Sequence, residues 1–526
     1  MKRYLYILFA AAATLALSAG CEKSSLLDKP SYTGVDGDKA VKTQEGLDLL
    51  LNGIYDDLSS HHYYGGILYL YDATKSPDFF QRNVGGGFSF YYENGYSNGA
   101  NMNGNANSIW LKCYNVIRNA TILLENINNA SGTIEELRRI KGQAYALRAL
   151  AYFDLLRLFA YPPKYSCTWG SAFSETFAMG VPIINSMAMA YDVKDHIITR
   201  SSADECWHMV ADDMTKAVSL LEDTATEDGH IGPAAALALR IRIALYMEDY
   251  KSVVDLGKKW LNEYEKNYSM IPYDAYPSQY YKPFNSESIW ELKYSENDNL
   301  GSNSINYWAR KQTYNIPGSP LDGQVSKNVG YAKLGLTQGT PVCGYECLTT
   351  FPQDVRQYLI CPLGIPFTEY KTLRRYVGSP YHNIHNIPVV RLPEIYFSLA
   401  EAYFKRANSD AAREMLAKVT SVRRKENAPS VATIYDILDE MRREFMLEGH
   451  NYFDWFRNGR NIANRPVIGC ITSSGTITFG QASGLGIRVV YQIPLNEMIA
   501  NRAIRSQQNP GYGAYSERVE AEEEVY

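Results

Sequence analysis

The hydrophobic positions of this chain repeat with the period of amphipathic α-helices over most of its length. Apolar side chains recur three and four residues apart, a spacing that places them on one face of a helix. The gap of two residues between 247 and 250 predicts an antiparallel helix hairpin there. The segments with this period are residues 43–58, 108–128, 134–159, 202–221, 234–247, 250–264, 408–424 and 434–447.

Two long segments, residues 59–107 and 267–387, interrupt the helical pattern. Gly and Asn break regular structure in both, and the aromatic residues between them show no core period. Residues 288–294 are an exception, because they alternate like a strand and place Trp290 in the core. Loops that expose aromatic rings are suited to binding. The ligand contacts predicted on this basis are Tyr91, Tyr92, Tyr307 and Trp308.

The first 20 residues have the features of a lipoprotein signal peptide. Lys2 and Arg3 are basic, and residues 5–17 form an apolar run that is too short to span a bilayer. Small residues then lead directly to Cys21, which we expect to be lipidated and to anchor the protein to a membrane. An ordinary secreted protein, cut just before Cys21, is the alternative. Residues 21–40 are polar at their start and are predicted to be a tether.

Composition and motifs exclude several classes of function. The net charge is −5 without a basic stripe, which argues against a nucleic-acid partner. The sequence has no nucleophile elbow, zinc motif or cofactor loop, so we expect no cofactor and no enzymatic activity. His61-His62, the His382/His385 pair and the cysteines 343, 347 and 361 are all better explained as ordinary residues than as metal ligands. If Cys21 is acylated, the other seven cysteines are an odd number, and at least one has no partner within the chain.

Residues 442–459 place acids and bases beside large aromatic rings. Such a composition predicts buried ion pairs, which fix geometry more reliably than they add stability. We expect Arg442 or Arg443 to pair with Asp454, and Glu448 with Arg457. The acidic and imidazole groups of this segment lack the spacing of a zinc or acid–base site, so they indicate a structural joint. These groups are Glu444, Glu448, His450 and Asp454.

The same segment resembles the C-terminal signature of the SusD/RagB family of nutrient-binding outer-membrane lipoproteins. Asn451 stands where an Arg is usual in that signature, and Trp455 where a Leu is usual. Residues 388–403 and the tail segments 491–501 and 508–512 resemble further parts of the family pattern. The matching residues are Arg391, Glu394, Ala400, Glu401, Ala402, Arg443, Glu444, Glu448, Gly449, Asp454, Arg457 and Gly459. On the helix that follows Arg391, Glu394 and Glu401 share a face and are expected to anchor Arg391 or Arg443.

The resemblance implies a mostly α fold, in which a scaffold similar to tetratricopeptide repeats carries a large irregular, loop-rich lobe. It also implies a lipid-anchored protein on the extracellular side of the outer membrane that binds oligosaccharides and delivers them to a SusC-like TonB-dependent transporter. The alternatives are a peptide-capturing member of the family, a surface glycosidase and an adaptor that binds no nutrient. The predicted regions are 1–20 (signal peptide), 21–40 (tether), 41–266 (helical, with the loop 59–107), 267–387 (ligand-binding lobe) and 388–526 (C-terminal helical region), packed as one body.

Overall fold

The computed structural model describes residues 41–81, 104–187, 197–305, 334–336, 353–362, 368–370, 385–425, 431–462, 476–481 and 487–512. Most of them are helical, as predicted. The α-helices are α1 (Gln44–Ser59), α2 (Ile67–Lys75), α3 (Gly104–Asn126), α4 (Ile134–Phe159), α5 (Pro163–Ser166), α6 (Ala203–Leu221), α7 (Pro233–Tyr246), α8 (Tyr250–Tyr264), α9 (Tyr276–Gln279), α10 (Leu392–Lys405), α11 (Ser409–Arg423), α12 (Ile434–Glu444), α13 (Asn451–Asn458) and α14 (Leu495–Ala500). The strands are β1 (Phe79–Gln81), β2 (Ser288–Leu292), β3 (Leu334–Leu336), β4 (Ile360–Pro362), β5 (Thr368–Tyr370) and β6 (Ile387–Arg391).

Helices that follow one another in the chain pack side by side and form the scaffold. The packed pairs run α1–α3, α3–α4, α4–α6, α6–α7, α7–α8, α8–α10 and α10–α11. Their ends follow from local chemistry: the predicted capping box of α6 is present, with Ser202 and Glu205 accepting each other's backbone N–H groups. The helix predicted over residues 134–159 and the hairpin of α7 and α8 are confirmed. Among the described residues, no helix is both long and apolar enough to cross a membrane.

Two small antiparallel sheets complete the fold. Strands β2 and β6 form one of them, and Trp290 of β2 is buried, as predicted. The other sheet has the order β1-β3-β5-β4, with Phe79 opposite Leu336. Its first strand comes from the irregular segment 59–107 and its other strands from 267–387, so this sheet joins the two segments.

The prediction of irregular, aromatic-rich loops is wrong for several described parts of these segments. Residues 67–75 form α2, every residue of which is buried. A helix that is buried on all sides has no polar face, so its sequence shows no amphipathic period. The aromatic residues that the structure buries in the core rather than exposes are Tyr63, Tyr64, Tyr69, Tyr71, Tyr276, Tyr280, Tyr281 and Tyr294.

A cluster of buried charges, here called the ionic core, ties β6, α11 and α12 to the second irregular segment. Glu444 of α12 lies at its centre, 2.9 Å from Arg391 Nη1, 3.0 Å from Arg423 Nε and 3.3 Å from Arg356 Nη1. Glu287 bridges the first two of these guanidinium groups. Burial alone raises the pKa of Glu444, but the three guanidinium groups outweigh it and hold the pKa well below the usual range. Each charge therefore depends on partners from distant parts of the sequence.

The prediction of buried ion pairs in residues 442–459 is confirmed, but the predicted partners are wrong. Arg442 binds Asp78 of the first irregular segment, and Arg443 binds Glu440 one helical turn away. The partner of Glu448 is Arg391. Arg442 and Glu448 reach across the fold, so their partners depend on packing that the local sequence does not specify.

The two glutamates of α10 also differ from the prediction. Glu394 binds Arg242 of α7, and Glu401 binds Arg457 of α13 at 2.6 Å. Arg457 also contacts Asp454 at 2.7 Å, within its own helix. The shared helix face of Glu394 and Glu401 was correctly inferred, but it joins α10 to two other helices rather than to Arg391 or Arg443.

Replacing Glu444 with Gln is expected to lower the free energy of unfolding by about 3–5 kcal/mol, because it removes the charge that three buried guanidinium groups share. Gln has nearly the same size, so packing losses are small. Chemical denaturation of the two proteins measures the difference. Asp410→Asn is the matched control, since the Arg413–Asp410 pair is solvent-exposed and is expected to contribute little. An equal effect of the two substitutions would contradict the central role of Glu444.

Acid is expected to unfold the protein through the same cluster. Burial raises the pKa of Glu440, but Arg356, Arg443 and Arg424 lower it from 4.5 to about 2. A depressed pKa means that the stabilisation is complete above pH 4.5 and is lost as the pH falls towards 2. The free energy of unfolding, measured across this range, should decrease steadily, and the decrease should be smaller in Glu440→Gln. An unchanged slope in that variant would argue against this assignment.

Candidate functional site

The residues that the sequence marks as functional lie outside the described residues. This applies to the ligand contacts Tyr91, Tyr92, Tyr307 and Trp308, and to the lipidation site Cys21. These five assignments stay predictions. The structure does, however, describe residues on both sides of Tyr91 and Tyr92 and of Tyr307 and Trp308, and parts of these flanking regions meet.

The described portions of the two irregular segments contact each other directly. Tyr294 Oη donates a hydrogen bond of 2.5 Å to the carbonyl oxygen of Ser59. The side chain of Leu300 lies against Gly65, so close that a Cβ on this glycine would be 2.6 Å from Leu300 Cδ1. Together with the pairing of β1 and β3, these contacts place the two segments side by side.

A groove of about 340 Å³ opens where the two segments meet the helical scaffold. We call it the polar groove; its volume is within the range of about 300–1,000 Å³ that is usual for small-molecule sites. One wall is a single face of α1, formed by residues 52, 55, 56 and 59 at helical spacing. The other walls are the loop 227–230 and the chain that follows β2. The polar side chains that line it include Asn52, Asp56, Asp228, Lys293, Ser295 and Asp298.

The floor of the polar groove is held by hydrogen bonds to buried rings. Tyr55 Oη donates to Gln143 Oε1 at 3.0 Å and accepts the Ile231 N–H at 2.9 Å. The Trp290 indole donates to the Gly229 carbonyl oxygen at 3.0 Å, which fixes the loop 227–230 on β2. His230 meets the Tyr55 ring edge-on, with ring centroids 4.4 Å apart. These bonds give the groove a fixed shape before any ligand arrives.

The electrostatics of the polar groove favour neutral ligands over anionic ones. Its rim carries the exposed carboxylates of Asp56, Glu227, Asp228 and Asp298, with Lys293 as a cationic neighbour. Burial lowers the pKa of His230 below 6.5, so the imidazole is neutral at pH 7. Carboxylates accept hydrogen bonds, whereas amides and hydroxyls both donate and accept them. This set of groups is suited to a ligand with many hydroxyl groups.

Sequence reasoning missed the polar groove. Residues 52–58 had been assigned to a scaffold helix and Ser59 to the first irregular segment, and residues 227–230 lie in a turn between two predicted helices. The helical spacing of Asn52, Asp56 and Ser59 is a weak signal of a polar helix face, but nothing local indicates what that face meets. The groove appears only when the chain that follows β2 contacts the end of α1.

In the described part of the chain, no cluster of three or more His, Cys, Asp or Glu side chains is arranged to hold a metal ion. Of the residues considered as metal ligands, His382, Cys343 and Cys347 lie outside the described residues. His61 and His62 lie in a turn rather than on a strand, and their ring centroids are 3.9 Å apart instead of pointing in opposite directions. Burial, together with the neighbouring His62, lowers the pKa of His61 to about 4. Cys113, Cys167 and Cys206 are buried free thiols.

A second groove, of about 480 Å³, lies elsewhere on the scaffold between α3 and the C-terminal segment. Its walls include Trp110 and Tyr114, together with the exposed Ile197. Trp110 donates to Glu497 and Tyr114 to the Pro182 carbonyl oxygen, so both polar tips are already occupied. Neither described portion of the irregular segments lines this groove, and the polar groove is therefore the better candidate.

Comparison with protein families gives two matches. The family model described as starch-binding and associating with the outer membrane matches residues 26–245, and the model of the SusD family matches residues 370–512. Together they cover more than half of the chain. The second match includes the ionic core residues Arg391, Arg423 and Glu444.

Similar individual proteins agree with these matches. A SusD-like protein of Formosa agariphila is 23% identical over 435 residues, which are 70% of this chain and 75% of the relative. The structure of a SusD superfamily protein from Bacteroides thetaiotaomicron is 27% identical, covers 89% of this chain and 100% of that one, and has a TM-score of 0.75. A SusD-like carbohydrate-binding protein from Bacteroides vulgatus is 20% identical and covers 90% and 99%, with a TM-score of 0.70.

Proposed function

Because the chain belongs to the SusD/RagB family, a family of binding proteins rather than enzymes, we propose that it captures neutral oligosaccharides in the polar groove and on the adjoining irregular segments. The observation that carries this proposal is a preformed groove with hydroxyl, amide and carboxylate groups, in whose lining Ser59 and Tyr294, from the two irregular segments, contact each other. The carbohydrate binding of the Bacteroides vulgatus relative supports the ligand class. Sugar hydroxyls are satisfied by such groups, and sugar CH faces stack on flat aromatic rings.

The predicted contacts Tyr91, Tyr92, Tyr307 and Trp308 complete this site in our proposal. In the polar groove, Tyr55 and Tyr294 are buried and occupied by hydrogen bonds, so neither offers a ring face to a ligand. The groove therefore supplies the hydrogen bonds, and the four predicted residues supply the stacking surface. This division of roles is common in ligand sites, where few polar groups set orientation and apolar rings provide contact area.

We further propose that the protein works on the outer membrane, lipid-anchored through Cys21 on its extracellular side, and delivers its ligand to a SusC-like TonB-dependent transporter. The matching family model is described as associating with the outer membrane. The signal-peptide features of residues 1–20 and the position of Cys21 support the anchor. Family membership supports delivery to a transporter, which would give a surface binding protein a role in uptake.

Calorimetric titration of residues 22–526 with soluble starch, laminarin, polygalacturonate and peptides tests ligand capture. We expect binding of a neutral glycan without product formation. Asp298→Ala should weaken it about tenfold or more, since a hydrogen bond to a charged group contributes about 1.5–3 kcal/mol. Asp255→Ala, an exposed aspartate of α8 outside the groove, is the control. Tyr307→Ala and Trp308→Ala should also weaken binding.

Each contrary outcome of this titration identifies a different alternative. Binding of peptides alone would identify a peptide-capturing member of the family. Release of shorter glycans would indicate a glycosidase. If no glycan of the panel binds, or if Asp298→Ala, Tyr307→Ala and Trp308→Ala all bind as well as the unmodified protein, the proposed site is wrong.

Replacing Cys21 with Ala is expected to release the protein from the membrane, because the thiol that carries the acyl chains is lost. Fractionation of cells into soluble and membrane parts, followed by immunodetection, measures the distribution. Ser24→Ala, three residues along the tether, should remain in the membrane fraction. Continued membrane attachment of Cys21→Ala would contradict the lipid anchor.

A further inference from the structure

A short turn between α5 and α6 holds two aromatic rings at the protein surface. It spans residues 167–174, and we call it the aromatic turn. Trp169 is 37% exposed and Phe173 is 39% exposed, and both belong to the small set of large apolar side chains that the described structure leaves accessible. Single exposed rings need no explanation, but two on one turn of eight residues form a local surface.

The aromatic turn is held in one conformation by its neighbours. Thr168 donates its backbone N–H and its hydroxyl to the two carboxylate oxygens of Asp204, at 3.0 and 2.6 Å. The backbone N–H groups of Ala172 and Ser174 donate to the carbonyl oxygens of Lys164 and Tyr165, both at 2.9 Å. The rings are therefore presented by a fixed backbone, and a ligand that stacks on them loses little entropy in ordering the turn.

Gly170 shows how tightly this turn is packed. A Cβ at this position would lie 2.1 Å from the carbonyl oxygen of Pro163. Only glycine permits so close an approach of the two backbones. Gly170 thus permits the tight turn that keeps Trp169 and Phe173 at the surface, although burial of the two rings would have been favourable.

Polar groups lie beside Trp169 and on the turn itself. His208 of α6 meets Trp169 edge-on with ring centroids 4.9 Å apart, and its Nδ1 lies 2.8 Å from the Asp204 carbonyl oxygen. Lys164 Nζ donates to the Ser171 hydroxyl at 3.2 Å. The side chains of Lys164, Ser171 and His208 supply hydrogen-bond donors and acceptors within the same small area.

The size of the surface distinguishes a sugar from a protein partner. An aromatic side chain has about 150–250 Å² to bury, and less than half of each ring is accessible here. A stable protein interface needs about 800 Å² on each side. Two flat rings with a polar surround fall far short of that area, but they match the face and the hydroxyl edge of a sugar ring.

The aromatic turn and the polar groove lie at opposite ends of α6. Asp204 and His208 of the turn belong to the first two turns of this helix, whereas residues 227–230 of the groove follow its last turn. The helix has 19 residues and rises about 1.5 Å per residue, so it is roughly 28 Å long and sets the scale of the distance between the two surfaces. A short oligosaccharide cannot reach both, but a long glycan chain can.

We propose that the aromatic turn is a second carbohydrate-binding site, at which Trp169 and Phe173 stack on pyranose rings of a long neutral glycan whose other part occupies the polar groove. This inference rests on the proposed function. Binding at two linked positions raises the apparent affinity for a polymer without changing the affinity for a short ligand. The second site thus selects long chains at the cell surface.

Affinity electrophoresis of residues 22–526 in gels with soluble starch or laminarin tests this site, with calorimetry on short oligosaccharides of the same glycan. We expect Trp169→Ala and Phe173→Ala to weaken polymer binding about tenfold and to leave short-ligand affinity unchanged. Trp169→Phe, which keeps a flat ring, should restore much of the polymer binding. Tyr435→Ala removes an exposed ring of α12 and is the matched control. Thermal unfolding verifies that the variants are folded.

The possible failures are distinguishable. If Trp169→Ala binds the polymer as well as the unmodified protein does, the second site is wrong and the proposed function stands. If Trp169→Ala weakens the short ligand equally, Trp169 belongs to a single site, and the inference is also wrong. If the unmodified protein binds neither polymer nor short ligand, the proposed function fails and the second site fails with it.

Discussion

Pairing of buried charge is the constraint on which the rest of this structure depends. A guanidinium group without a partner is very costly in the interior, so Arg356, Arg391 and Arg423 require the carboxylates that the fold brings to them. The carboxylates come from distant places: Glu287 precedes β2, whereas Glu444 ends α12. Folding is therefore complete only when the second irregular segment packs against the C-terminal helices. The ionic core fixes the geometry of this segment in addition to the burial of its tyrosine rings, such as Tyr276 and Tyr280.

The first irregular segment is fixed by the same means. Asp78 receives Arg442 of α12 and the side-chain amide of Asn451, while Asp72 accepts three backbone N–H groups at the start of α13. An acceptor at a helix N-terminus satisfies N–H groups that have no partner within the helix. Gly449, with φ of +77°, allows the chain to turn from α12 into α13 against the ring of Tyr69. Both irregular segments are thus attached to rigid helices, and a binding surface made of loops needs such support.

How much of the fold and of the candidate site can be predicted from the sequence depends on how far apart in the chain the interacting residues are. Helical periodicity is local, so both ends of α4 and of α8 were predicted correctly, and the capping box of α6 was identified from the sequence alone. The signature segment was correctly interpreted as a structural joint, but the partner of Arg442 is 364 positions away in the sequence, and no local rule selects it. The polar groove depends on the same long-range packing. The predicted stacking residues Tyr91, Tyr92, Tyr307 and Trp308 are not tested by the structure.

The two proposed surfaces differ in how the fold provides them, and this difference bears on their roles. The polar groove forms where the chain that follows β2 meets α1, and its hydrogen-bonding groups select by charge and hydroxyl pattern. The aromatic turn is local, formed by hydrogen bonds within about ten residues and to the first turn of α6, and flat rings discriminate little between sugars. A site of low selectivity is useful only in addition to a selective one, because it retains a polymer without deciding which polymer is taken. Their separation along a rigid helix, rather than by a flexible linker, fixes the length of chain that can engage both at once.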